Sequence, residues 1–187
     1  MLGFCYCFRT TQNGVRTATL SNMTKLLLLP GNSAGNRQSI EEIQNEIGGN
    51  ILYYTHWETG EPMIDFQNET SRLVDMANGE PVIIFAKSAG TLLAMKAVRE
   101  AGLRVEKAVF LGTAVNWGIE RGIPVRAWLE DWRAPTLFVQ NENDPVISAA
   151  ELAAILDGRH TMLVLPGSHH DYNELDQFLP QVRGMLG

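Results

Sequence analysis

The sequence has 187 residues and two cysteines, with 45% hydrophobic residues, 19% charged residues and a formal net charge of −6. That length suits one domain over residues 1–187, and the apolar content suits a buried core rather than disorder. An acidic chain with no basic surface excludes nucleic acid as the main partner. No apolar run approaches the roughly 18 to 20 residues that cross a bilayer, so no membrane partner is expected either.

The opening MLGFCYCFRT is apolar but brief and has no basic leader, so a cytoplasmic protein is expected. Cys5 and Cys7 lie two apart, on one face of a strand, where a bridge would strain the backbone. They are expected to be reduced packing residues. GFCYCFRTTQ and VRTATL flank Asn13-Gly14, a hairpin signal over residues 1–22. A competing start at Met23 makes those residues an upstream extension.

From Lys25 onward, short apolar strands alternate with amphipathic helices. Lys25 to Leu29 is the first strand, followed by the turn-rich PGNSAGN. Ser39 is placed to cap a helix ending at Gly48-Gly49, with Glu42 in the capping-box position. Asn50 to Thr55 is the next strand, and Phe66 to Ala77 a helix closed by Asn78-Gly79. Pro81 to Ala86 is a strand, Ala89 to Glu100 a helix, and Val105 to Gly112 a strand.

A less regular, tryptophan-rich stretch runs from Asn116 to Trp132. Then come a strand at Thr136 to Gln140, a helix at Ser148 to Leu156 and a strand at Thr161 to Leu165. Asn173 to Leu186 is a closing helix, interrupted or kinked at Pro180. This alternation predicts a three-layer α/β fold, with a mostly parallel sheet between helices. Ligands in such folds sit beyond the carboxyl ends of the strands.

Ala86-Lys87-Ser88-Ala89-Gly90 joins a strand to a helix. Serine there either caps the helix or is lifted clear of the sheet as a nucleophile. Small neighbours let the helix approach the strand closely. Downstream, Asp144 follows a strand in QNENDPVIS, and His169 and His170 follow the last strand in LPGSHHDYN. Glu142 is the alternative acid. His169, His170 and Asp171 also permit a metal reading, but three adjacent residues rarely converge on one ion. GNSAGN lacks the lysine of a phosphate-binding loop.

The corner resembles the nucleophile elbow of the α/β-hydrolase family, with alanine in place of its first glycine, and the order Ser, Asp, His is the family's. The resemblance runs from Lys25 to the C-terminus with a minimal cap. It implies catalysis by Ser88, Asp144 and His170. The Ala89 and Asn32 amides would form an oxyanion hole, with the Ser33 amide as the less favoured alternative to Asn32. It implies no cofactor and no metal. Ser33, His56, Trp57, Lys87 and Trp117 are candidates to line the substrate site, and Trp128 and Trp132 either wall an acyl pocket or anchor a helix. Hydrolysis of a small carboxylic ester or thioester is expected. The alternatives are an acyltransferase or a ligand-binding protein on the same fold.

Overall fold

The computed structural model describes residues 24–187. The predicted hairpin, Cys5, Cys7 and Met23 lie outside the described residues. Six strands are described: β1 Lys25–Leu29, β2 Asn50–Ile51, β3 Val82–Lys87, β4 Val105–Leu111, β5 Thr136–Asn141 and β6 Thr161–Leu165. They form one sheet in the order β2-β1-β3-β4-β5-β6, and every pair is parallel. The helices are α1 Asn36–Ile47, α2 His56–Thr59, α3 Phe66–Ala77, α4 Ala89–Ala101, α5 Val115–Ile119, α6 Val125–Asp131, α7 Ala149–Leu156 and α8 Leu179–Leu186. None of them is long and apolar enough to cross a membrane.

Two apolar layers flank the sheet because its central strands are buried on both sides, as a parallel sheet requires. On one face Ile40 and Ile43 of α1 and Leu179 and Val182 of α8 pack on Leu28, Phe85, Val109 and Val139. On the other, Leu73, Leu92, Leu129 and Leu152 from α3, α4, α6 and α7 pack on Leu27, Ile84, Phe110 and Phe138. The predicted three-layer architecture is therefore present. The chain leaves β1 towards the β2 edge and returns to β3 on the other side. The crevice between the carboxyl ends of β1 and β3 is thus the point where strand order reverses, the place where such sheets bind ligands.

Local chemistry explains most element ends. Asp65 caps α3 by accepting from the amides of Gln67 (3.0 Å) and Asn68 (3.1 Å). Asn78 ends the helix in the left-handed conformation. Ser148 caps α7 in a full capping box with Glu151.

Most boundaries fall within a residue of expectation, and four regions differ by more. Ser39 lies inside α1, which begins at Asn36 because a turn seeded at Ser33 donates Asn36 N–H to its carbonyl at 2.9 Å. Glu42 instead accepts from Gln38 at 2.8 Å. The strand predicted to reach Thr55 stops at Ile51, and the chain turns inward to bury Tyr54 and start α2. The closing helix is not kinked at Pro180. A 3-10 turn, Leu175–Gln177, precedes α8, and Pro180 occupies its first turn, where no N–H is needed. The segment 116–132 contains two short helices, α5 and α6. Trp128 and Trp132 are buried in the core, with Trp132 Nε1 donating to Thr136 Oγ1 at 2.7 Å. They anchor α6 and do not wall a pocket.

Gly90 is the tightest point near the crevice. A Cβ there would stand 2.4 Å from the Leu29 carbonyl oxygen and 2.7 Å from that of Pro30. Helix propensity alone favours alanine at this position by up to about 1 kcal/mol. The clash is with backbone, which cannot rotate away, so overpacking dominates. Gly90→Ala is expected to lower the unfolding free energy by about 2 kcal/mol. Urea denaturation measures this, and a variant as stable as the parent would contradict it.

Candidate active site

Ser88 sits between β3 and α4 with φ 51° and ψ −119°, a left-handed backbone that costs a non-glycine residue about 1–3 kcal/mol. Its neighbours hold it there. Its N–H donates to the Leu111 carbonyl (2.9 Å), and its own carbonyl accepts from the Thr91 N–H (2.9 Å) and the Thr91 hydroxyl (2.6 Å). The Ser88 side chain makes no capping bond to α4. The corner therefore does not use serine as a helix cap. Its Oγ instead lies 2.8 Å from His170 Nε2.

His170 Nδ1 lies 2.7 Å and 3.0 Å from the two carboxylate oxygens of Asp144. With Nδ1 against a carboxylate, the hydrogen belongs on Nδ1, and the Nε2 lone pair faces the Ser88 hydroxyl. The Asp144 side chain is fully buried. Burial alone pushes its carboxyl pKa up. Hydrogen bonds from His170 and Tyr172, the charge interaction with His170 and the Val146 N–H more than offset this, so the pKa ends below its ordinary value. Glu142 is exposed and its side chain takes no part.

Three cross-links fix the loops bearing Asp144 and His170. Glu142 N–H donates to Leu165 (2.8 Å), Asn143 N–H to Gly167 (2.9 Å), and Asn141 Nδ2 to the His169 carbonyl (2.7 Å). His169 is exposed and held only through its backbone, whereas His170 is the histidine that meets Ser88 and Asp144. His169, His170 and Asp171 do not converge. Among the described residues no group of three or more potential metal-ligating side chains comes together.

Tyr172 went unnoticed in the sequence. It is buried, accepts from Asn141 N–H (2.9 Å) and donates to Asp144 Oδ2 (2.6 Å). Burial, followed by the bond to Asp144, holds its phenol pKa far above the ordinary value. Its ring stands edge-on to His170, with centroids 5.8 Å apart. Gly112, at φ 59°, leaves room for both, since a Cβ there would fall 2.5 Å from the Tyr172 ring and 3.1 Å from His170. The only sequence signal was a phenol two residues beyond the histidine.

The other candidates divide. Lys87, a candidate to line the substrate site, is buried instead. It is 5% exposed, and its Nζ donates to the Asp171 carbonyl at 2.7 Å, tying β3 to the histidine loop. Burial lowers its pKa, partly countered by the charge of Asp171. Ser33 is exposed, and its Oγ accepts from Gly35 N–H at 3.2 Å. Trp117 is half-buried, packed near Phe66 (centroids 6.4 Å) with the Arg121 guanidinium 4.1 Å over its ring.

His56 and Trp57 both point at the loop after β1. His56 Nε2 lies 2.7 Å and Trp57 Nε1 2.8 Å from the Asn32 carbonyl oxygen. The backbone N–H groups of Asn32 and Ala89 have no hydrogen-bond acceptor among the described residues. Ala89 N–H is also one of the unpaired donors that begin every helix.

No protein-family model and no curated protein matches the sequence. Solved structures do match. A YdeN-like hydrolase from Pectobacterium atrosepticum aligns over 89% of this chain and 92% of its own, with TM-score 0.68 and 16% identity. An esterase from Exiguobacterium antarcticum aligns over 87% and 91%, with TM-score 0.64 and 13% identity. The carboxylesterase CesB from Bacillus subtilis aligns over 89% and 84%, also with TM-score 0.64 and 13% identity. At these identities the likeness is one of fold, and the six parallel strands with a serine corner after β3 agree with it: the chain has the α/β-hydrolase fold.

Proposed function

We propose that the protein is a serine hydrolase that cleaves small carboxylic esters or thioesters through an acyl-enzyme. The observation that carries this is the unbroken hydrogen-bonded line from Ser88 Oγ through His170 to buried Asp144. Structural neighbours named as an esterase and a carboxylesterase support the same chemistry.

Ser88 Oγ attacks the acyl carbon while His170 Nε2 takes its proton. The carbonyl π electrons move to oxygen. The resulting oxyanion is met by the N–H groups of Ala89 and Asn32, with the N-terminus of α4 adding favourable potential. As the carbonyl re-forms, the bond to the leaving group breaks, and His170 returns the proton to it. Water then repeats the sequence in reverse, with His170 as base, and frees the acid and Ser88. Asp144 holds the imidazole with its hydrogen on Nδ1 and stabilises the imidazolium that forms. Tyr172 keeps that carboxylate in place and ionised.

A fluorophosphonate probe followed by peptide mapping tests this without knowledge of the substrate. One adduct is expected, on Ser88. Ser88→Ala should lose both label and turnover while its thermal midpoint stays within about 3 °C. His170→Ala should lower kcat by about a thousandfold or more, and His169→Ala should leave it near wild type. Folded wild type that takes no label would overturn the proposal in favour of ligand binding without turnover.

Tyr172→Phe strands the buried Asn141 N–H and removes a donor from Asp144, at a cost of about 1–3 kcal/mol at neutral pH. The pH dependence has a defined sign. A carboxyl with a depressed folded pKa stabilises above its unfolded pKa of about 3.9, and that contribution is lost as pH falls through the folded value. The gap between wild type and Tyr172→Phe should therefore be widest above about pH 4 and shrink at lower pH. Urea titrations across that range check it, and a gap that widens in acid would contradict the assignment.

A further inference from the structure

We propose that His56 and Trp57 are positioning residues that clamp the Asn32 carbonyl and so aim the Asn32 N–H at the developing oxyanion. This rests on the serine-hydrolase proposal above and adds a device to it. Two side-chain N–H groups from adjacent residues of α2 converge on one backbone oxygen, at 2.7 Å and 2.8 Å. A carbonyl has two lone pairs, and this pair of bonds uses both.

The Asn32 side chain is fixed as well. Its Oδ1 accepts from Ile64 N–H at 2.8 Å, and its Nδ2 donates to the Pro62 carbonyl at 3.0 Å. Four bonds hold the carbonyl and side chain and so the bonds around Cα, while the Tyr54 hydroxyl on the Pro30 carbonyl restrains the chain just before Asn32; together they limit the rotation that sets the direction of the remaining N–H. That N–H is the one polar backbone group of Asn32 without a protein acceptor among the described residues. The arrangement immobilises a residue around a single free donor.

The clamp is itself anchored. Glu69 is buried, accepts Thr55 N–H at 2.7 Å and pairs with Arg72 at 2.5 Å, which fixes the chain just before His56. Tyr54 stacks on His56, with centroids 5.7 Å apart, and lies edge-on to Trp57 at 5.5 Å. Its hydroxyl donates to the Pro30 carbonyl at 2.8 Å, in the same loop as Asn32. His56 Nδ1 is buried with no partner among the described residues. An apolar side chain would avoid that unpaired atom but could not supply the Nε2–H bond to Asn32. With its Nε2 engaged on the Asn32 carbonyl, His56 is assigned to holding the loop.

The test compares Trp57→Phe, His56→Leu, His56→Gln and the Trp57→Phe/His56→Leu double variant on p-nitrophenyl acetate. Rates are normalised to sites titrated with fluorophosphonate. Each single loss of a donor should lower kcat by about fivefold to fiftyfold and the double variant by about a hundredfold, with KM within about twofold, since the oxyanion exists only beyond the ground state. Inhibition by a trifluoromethyl ketone, whose serine adduct carries the oxyanion, should weaken in step. His56→Gln, with an amide nitrogen near the position of Nε2, should recover most of the loss seen in His56→Leu. Should His56→Leu fail to fold, Trp57→Phe still removes one donor while keeping an aromatic ring, and His56→Gln, close to histidine in volume, should keep kcat near wild type because it keeps a donor.

Variants that match an active, labelled wild type in kcat and ketone affinity overturn the clamp alone. So does a loss of kcat with unchanged ketone affinity. A wild type that neither labels nor turns over overturns the hydrolase proposal, and the clamp with it.

Discussion

A single backbone dihedral governs the site. Ser88 is held at a positive φ, in a region that costs a side chain free energy and that an isolated turn would abandon. What keeps it there is the packing of three elements at once. β4 supplies the Leu111 carbonyl, α4 supplies both Thr91 donors, and Gly90 lets α4 lie almost in contact with the backbone after β1. The strain is thus offset by a sheet and a helix that have little freedom to relax. The corner, once formed, sets the direction of Oγ. The nearness of β1 that it requires also brings the Asn32 loop alongside.

The second constraint is electrostatic. Asp144 is a carboxylate in a place where burial works against its charge, and it stays in the ionised range because donors surround it. Those donors come from separated stretches of chain: Tyr172 and His170 from beyond β6, and Val146 from its own loop. Binding the carboxylate and joining the loops after β5 and β6 are therefore one task. Lys87 adds a further attachment, from the strand that leads to Ser88 to the loop carrying His170. Ser88 and His170 are kept in register through side-chain and backbone bonds; among the described residues the segment between β4 and β5 adds only α5 and α6.

The strand–helix alternation was legible because long apolar runs leave little choice. Leu27, Leu28 and Leu29, or Ile84 and Phe85, have no stable place except a sheet covered on both faces. That Ser88, Asp144 and His170 would meet was legible because each follows a strand, and parallel strands bring their ends to one edge. The short edge strand was over-extended. Leu52 and Tyr54 are apolar enough to continue it, but their burial is met by turning inward rather than along the sheet. Tyr172, Asn141 and the roles of Lys87 and His56 were not legible, because each acts through a bond to a residue far away in sequence. A lysine beside a serine reads as exposed charge until the fold supplies a carbonyl 84 residues along the chain for it to meet. A histidine after a strand reads as facing the ligand crevice until Asn32, 24 residues earlier, takes its Nε2.

Those distant bonds share a pattern. The side chains assigned to chemistry are few, and each is backed by residues that touch only their neighbours: Tyr172 behind Asp144, Asn141 behind the His169–His170 loop, and His56 and Trp57 behind Asn32. Their bonds are mostly to backbone carbonyls or amides, so what they fix is the path of a loop. Loops at the ends of parallel strands are where this fold places reactive groups, and they are also its least constrained segments. In a chain of 187 residues with only two short helices between β4 and β5, little mass is left to brace them by burial. Directed hydrogen bonds from partly or fully buried side chains do that work. A buried N–H or phenol whose partner shifts is left unpaired, at a cost of about 1–3 kcal/mol, so each loop has one strongly preferred position.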